Sequence, residues 1–153
     1  MANFLADSRP WIVAFSGGKD STVVLQLVYE MLLSLPKEKR KKVFVVMSDT
    51  KVESPVIEDY LKETMKILNE SSKDLGLEFE AIIVEPNEEE EFWFNLIGKG
   101  YPSPTRTFRW CTDRLKINPS AEYIRDVIKE EGEEVVVLLG VRKAESEARR
   151  RRI

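Results

Sequence analysis

Histidine is absent from the 153 residues. Its absence removes the commonest general base and the commonest zinc ligand, so histidine-assisted serine or cysteine hydrolysis and His-ligated zinc chemistry are excluded within this chain. Cysteine occurs once, at Cys111, which rules out an internal disulfide and agrees with a reducing compartment. No apolar run approaches the length of a membrane span; the longest, Val135 to Val141, is interrupted by Gly140. The start of the chain, Met1 to Asp7, lacks a basic stretch followed by an apolar one, so no secretory signal is read. A cytoplasmic location without a membrane partner is the expectation. Positive charge is not in excess. With 24 Lys+Arg against 27 Asp+Glu the net charge is −3, which argues against the whole surface serving as a nucleic-acid platform. Local basic stripes remain, one formed by Arg106, Arg109, Arg114 and Lys116 and the other by the terminal run Arg149 to Arg152.

What is present describes a globular chain. Hydrophobic residues at 42% and charged residues at 33% have neither the apolar poverty of a disordered segment nor the excess of a membrane protein. The length suits one domain, read as residues 1–153. Short buried runs alternate with helical periodicities, the pattern of an α/β, Rossmann-like fold with an open, mainly parallel sheet flanked by helices. Trp11 to Phe15 reads as the first strand. Val24, Leu27, Val28, Met31, Leu32 and Leu35 then recur at helical spacing until Pro36. Val43 to Met47 is a second strand. The next helix runs to about Lys73 with Ile57, Tyr60, Leu61, Met65 and Leu68 inward; its start reads either from Thr50 and Glu53 as a capping box or from Ser54 followed by Pro55. Gly76 closes that unit and Phe79 to Val84 forms a third strand. Glu88 to Glu91 reads as the solvated start of a short helix carrying Phe92, Trp93, Leu96 and Ile97. Gly98 to Pro119 reads as a long loop, Ala121 to Glu131 as a last helix and Val135 to Leu139 as a last strand.

The junction after the first strand carries chemistry. Ser16-Gly17-Gly18-Lys19-Asp20-Ser21-Thr22 places a glycine pair between a strand and a helix. Glycine permits close backbone approach, several N–H groups converge at the positive helix end, and Lys19 adds a full charge, so the segment is an anion site. Ser16, Ser21 and Thr22 contribute hydroxyls, and Asp20 is placed to hold Mg²⁺ or to orient the loop. The bland reading is a tight turn in which Asp20 or Ser21 caps a helix. The segment is not the commoner phosphate loop, which requires glycine where Val13 stands and Ser or Thr where Asp20 stands. The dinucleotide fingerprint fails as well, because Lys19 takes the place of its second glycine.

A second segment, Gly140-Val141-Arg142-Lys143-Ala144-Glu145-Ser146, follows the last strand as the first loop follows the first. Ligands of open α/β sheets sit beyond the carboxyl ends of the strands, so Arg142 is expected to face the crevice of Lys19 as a second phosphate anchor. A glycine turn with a surface arginine and a capping Glu145 is the plainer alternative. Asp49, after the second strand, reads equally as an adenosine contact or as a turn residue. The segment Thr105 to Pro119 mixes cations, aromatics and Cys111. Its basic residues suit backbone phosphate, while Phe108 and Trp110 read evenly as base-stacking groups or as packing.

Ser-Gly-Gly-Lys-Asp-Ser-Thr after a strand resembles the PP-loop of the ATP pyrophosphatase superfamily. The resemblance implies that Ser16, Gly18, Lys19, Asp20, Ser21 and Thr22 cradle the phosphates of ATP, with pyrophosphate released from the alpha phosphate. The element Gly140-x-Arg142-x-x-Glu145-Ser146, with Arg149 beyond it, resembles the phosphoadenylyl sulfate reductase branch. The segment Arg106 to Ile117, taken with the first loop, resembles the DndC family of DNA phosphorothioation sulfurtransferases, a likeness running from Trp11 to Arg149. That resemblance implies catalysis by Lys19, Asp20 and Arg142 with Mg²⁺ on Asp20, and nucleotide binding by Ser16 to Thr22, Asp49, Gly140 and Arg142. It also implies DNA backbone as acceptor at Arg106, Arg109, Arg114 and Lys116, and partnership with a cysteine desulfurase and other phosphorothioation proteins. The family is associated with a 4Fe–4S cluster on four cysteines, of which only Cys111 is present here. The chain is therefore expected to be an amino-terminal fragment of a longer protein, or a shortened form. The rival expectations are a sulfonucleotide reductase and a non-catalytic ATP-binding assembly module.

Overall fold

Four short apolar runs pair side by side, all parallel: β1 (Trp11–Ala14), β2 (Val43–Ser48), β3 (Phe79–Val84) and β4 (Val136–Leu139), in the order β3-β2-β1-β4. The computed structural model describes residues 8–132 and 134–142. Parallel neighbours need long crossovers. Helix α1 (Lys19–Ser34) links β1 to β2 and α2 (Pro55–Asp74) links β2 to β3. An insertion followed by α3 (Asn118–Glu131) leads from β3 to β4. The expected α/β class, an open parallel sheet flanked by helices, is what the chain forms. The register sets Ala14 beside both Val46 and Leu139, and Val46 beside Ile82, so the carboxyl ends of the strands lie along one edge.

Successive strand residues face opposite sides of a sheet, and both sides are covered here. Val13, Phe15, Val43, Val45, Met47 and Phe79 pack against Leu25, Val28 and Leu32 of α1 and Leu61 and Met65 of α2. Ile12, Phe44 and Val46 meet Val127, Tyr123 and Ile124 of α3 on the other side. At roughly 25 cal/mol per Å² of apolar surface removed from water, these two layers supply most of the drive to fold.

Several inward assignments need correction. Leu27 is 61% exposed and Leu25 takes its place inside. Ile57 and Tyr60 face solvent, while Leu61, Met65 and Ser72 are buried. Apolar residues one position apart both fit a helical stripe, and only the position of the sheet decides between them. Gly98–Pro119 is not a loop throughout. Helix resumes at Trp110–Thr112, widens to a π-helical turn at Asp113–Ile117 and runs on into α3. Pro119 has no N–H to offer the carbonyl four residues earlier, and the Asn118 N–H bonds instead to the Asp113 carbonyl, five residues back. Both readings of the start of α2 hold a part of the answer. Ser54 is the N-cap with Pro55 in the first turn, and Glu53 separately accepts from the Thr50 N–H at 3.1 Å and from its hydroxyl at 2.6 Å.

Tyr123 gives the fold a pH signature. Burial, reinforced by Glu80, Glu130 and Glu131, pushes its phenol up from 10.0 to about 12. A folded pKa above the unfolded one contributes stability that is complete below about pH 10 and fades as pH rises toward 12. Urea unfolding of Tyr123→Phe is expected to show a shallower loss of stability across that window than the unaltered chain. An identical decline in both would remove Tyr123 as its source.

Candidate functional site

The first loop is built by its own side chains. Phe15 is buried and its N–H bonds the Val46 carbonyl at 2.9 Å, after which the chain turns through Ser16–Gly18. Gly17 has φ +71°, and a Cβ there would stand 2.7 Å from Leu61 Cδ2 on α2. Glycine is therefore required twice, by conformation and by packing. Ser21 is buried; its hydroxyl donates to the Gly18 carbonyl at 2.9 Å and accepts from the Ser16 N–H at 3.2 Å. Thr22 N–H and Oγ1 also donate to that carbonyl, each at 3.0 Å. Ser21 and Thr22 thus hold the loop's shape, and the Ser16 hydroxyl, 3.1 Å from Ser21 Oγ, joins them.

Gly18 is the N-cap of α1 without any side-chain cap, so neither Asp20 nor Ser21 plays that part. With the Gly18 carbonyl drawn into the helix, the planar trans peptide turns the Lys19 N–H the opposite way, out of the helix end. The first N–H groups of a 16-residue helix stand there with the positive end of its dipole. Lys19 is exposed and forms no ion pair with any described residue.

The strand order places β4 next to β1, which sets the carboxyl end of β4 beside the glycine-lysine loop that follows β1. Gly140, the residue after β4, presses on the first turn of α1. A Cβ there would lie 2.6 Å from the Asp20 carbonyl carbon and oxygen and 2.7 Å from the Ser21 nitrogen. Two residues on, Arg142 Nε lies 2.8 Å from both Asp20 carboxylate oxygens. Lys19, Asp20, Gly140 and Arg142 are thereby assembled at one place. Glu145, Ser146, Arg149 and the arginine run lie outside the described residues.

Asp49 fulfils one of its two readings and leaves the other open. Its Oδ1 accepts from the Lys51 N–H at 2.8 Å, a tight turn that puts Lys51 at φ +60°. Its Oδ2 is buried without a partner among the described residues, beside a small cleft walled by Met47, Leu61 and Ile83. Neighbouring cations are engaged elsewhere. Lys51 binds Glu85 at 2.6 Å, a contact that holds its ammonium above the ordinary range, and Lys62 pairs with Glu58. The ring of Tyr60 and the methyls of Leu61 border the first loop, a Gly17 Cβ standing 3.7 Å from Tyr60 Cε1, and Leu61 also lines the cleft beside Asp49. Tyr60 at the site was not legible from periodicity, which assigned it to the core.

The basic segment divides. Arg114 is half-buried, donates to the Tyr101 hydroxyl at 2.9 Å, lies over that ring at 5.2 Å and faces Glu90 at 3.7 Å. Arg106, Arg109 and Lys116 are exposed and form no ion pair with described residues. Trp110 is buried, stacked on Phe92 at 5.4 Å, with its Nε1 donating to the Pro102 carbonyl at 3.0 Å; Phe108 is 45% exposed. Cys111 is half-buried beside Trp110.

The implied iron–sulfur cluster does not fit the residues of this chain. A four-cysteine cluster cannot be held by the one cysteine of the chain. Among the described residues no group of three or more His, Cys, Asp or Glu side chains converges as a metal site, and both oxygens of Asp20 face Arg142. No helix among the described residues is long and apolar enough to cross a membrane.

Comparison with known proteins narrows what such a loop serves. An uncharacterized protein of Methanocaldococcus jannaschii, MJ0066, is 31% identical over 138 residues, which span 90% of this chain and 24% of that protein. The chain therefore spans about a quarter of the length of that relative. A solved structure from the universal stress protein family of Burkholderia pseudomallei aligns over 88% of this chain and 97% of its own at 13% identity, with a TM-score of 0.33. The profile of the phosphoadenosine phosphosulfate reductase domain matches residues 10–152, a span holding both the glycine-lysine loop and the Gly140–Arg142 turn, and the chain belongs to that family.

Proposed function

We propose that this chain is the nucleotide-activating domain of an ATP pyrophosphatase that prepares the DNA backbone for sulfur incorporation. The observation that carries the reading is the pairing of an unengaged Lys19 at the head of α1 with Arg142, brought onto the same turn from β4. Two cations and a fan of N–H groups at one helix end suit a polyphosphate chain and the charge that grows on departing pyrophosphate. Chemistry of this kind runs on position and electrostatics and needs no protein nucleophile, in keeping with a site that has no histidine and no cysteine. Mg²⁺ enters as the counter-ion of ATP, part of the substrate. Asp49 Oδ2, buried and unpartnered, is the acceptor for a hydroxyl or amine of the nucleoside.

The acceptor is assigned to DNA through Arg106, Arg109 and Lys116, the members of the basic stripe free to meet phosphates. A cysteine desulfurase and further phosphorothioation proteins are the partners this role requires. AMP release from MgATP is expected to rise when duplex DNA is added and to lose that stimulation as salt increases, because phosphate contacts release counter-ions. Arg106→Ala with Arg109→Ala should remove the stimulation and leave the DNA-independent rate. DNA without effect on the unaltered chain sinks the assignment of the acceptor.

Membership in the phosphoadenosine phosphosulfate reductase domain family favours a second reading, reduction of an adenylylated sulfate. That reaction uses a nucleophilic thiol, and Cys111 beside Trp110 belongs to the insertion rather than to the glycine-lysine loop. Thiol-dependent release of sulfite from adenylyl sulfate, undiminished in Cys111→Ser, would mean the sulfonucleotide is the substrate and the thiol is borrowed.

A further inference from the structure

Asp20 is the one carboxylate of the first loop, and its position invites a metal role that its contacts do not support. Arg142 Nε sits 2.8 Å from each of its oxygens, across 122 residues of chain. Mg²⁺ in phosphate sites takes one or two carboxylates with open oxygens. Both oxygens of Asp20 already face the Arg142 guanidinium. Gly140 makes the contact structural, since the backbone after β4 touches the backbone of Asp20 and Ser21 so closely that a single methyl would not fit. The terminal nitrogens of Arg142, in contrast, have no partner among the described residues.

We infer that Asp20 is the positioning residue of Arg142 and not a metal ligand, a reading that rests on nucleotide binding at this loop. By occupying Nε it orders the guanidinium over the head of α1 and leaves the two terminal nitrogens for phosphate oxygens. The benefit is pre-organisation. The Arg142 side chain is 48% exposed, and without a tether the ligand itself must immobilise it. Ordering one long side chain weakens binding by about two- to twelve-fold. Electrostatics acts in the opposite sense, because removing a carboxylate relieves repulsion of the phosphates. At a site this open that term is screened, so the ordering term prevails.

Binding of MgATP and of a non-hydrolysable analogue is measured by calorimetry on the full chain, with free Mg²⁺ varied and again in EDTA, for the unaltered protein, Asp20→Asn, Arg142→Ala and the double variant. Circular dichroism confirms that each is folded. The expected result is an Asp20→Asn Kd weaker by about two- to twelve-fold with Mg²⁺ and without it. Half-saturation by Mg²⁺ should not move, and the double variant should bind no more weakly than Arg142→Ala alone. A rise in the Mg²⁺ needed by Asp20→Asn, additive losses in the double variant, or tighter binding by Asp20→Asn each overturn the inference while leaving nucleotide binding intact. Failure of the unaltered chain to bind any adenine nucleotide overturns the parent reading, and this one with it.

Discussion

Lys19→Ala is expected to reduce AMP formation by about 10²–10³-fold, the loss typical when one preorganised charge or donor is removed from a transition state. Lys19 is exposed at the first position of α1 and engages no described residue, so the fold has no stake in its ammonium. Alanine is also the best helix former, and stability should stay within about 0.5 kcal/mol of the unaltered chain. The combination makes the experiment clean, because lost turnover with unchanged unfolding places the effect in the site. Lys19→Arg keeps the charge but replaces a compact ammonium with a planar fork, and partial recovery is expected. Full activity in Lys19→Ala would remove the loop from the chemistry.

Gly140→Ala carries the largest expected effect on stability. Its Cβ would stand 2.6 Å from backbone atoms of Asp20, which cannot move aside as a flexible side chain would. Overpacking of this kind costs about 1–3 kcal/mol, and a cost of about 2 kcal/mol lowers the melting temperature of a domain near this size by about 4–8 °C. Relief requires β4 and the head of α1 to part, which carries Arg142 away from Asp20, so nucleotide affinity should fall with stability. Gly18→Ala is the matched comparison. Its φ is −80° and the nearest atom to an added Cβ is Ser16 Oγ at 3.5 Å, an ordinary contact. Calorimetric melting of the two variants should separate them clearly, with Gly18→Ala close to the unaltered chain. Equal melting temperatures would mean that the Gly140 contact is not tight in solution.

The legible part of the molecule was the part where one physical signal dominates. Buried parallel strands read as continuous apolar runs, and all four were found within a residue or so of their ends. The glycine-lysine loop was legible because a strand, two glycines and a helix start coincide at Ser16–Lys19. Helix faces were less so, since Leu25 and Leu27 are equally apolar and the sheet alone selects between them. The stretch from Trp110 to Ile117 was hidden by Pro119, which reads as a helix breaker but is accommodated by a π-helical turn. Asp20 shows the deepest limit. Its neighbours in sequence suggest a metal ligand or a loop-orienting group, and the partner it meets, Arg142, arrives from the far end of the chain through the Gly140 contact. The strand-end position of Arg142 was enough to bring it to this loop, but the particular pairing with Asp20 depends on the tertiary contact at Gly140.

The glycine-lysine loop is expected to direct cleavage between the alpha and beta phosphates of ATP. The most direct measurement is incubation of the chain with Mg²⁺ and ATP labelled at the alpha phosphate, with and without duplex DNA, followed by separation of AMP, ADP and ATP. Labelled AMP with an equal amount of pyrophosphate, lost in Lys19→Ala, is the predicted result; labelled ADP with inorganic phosphate would contradict it.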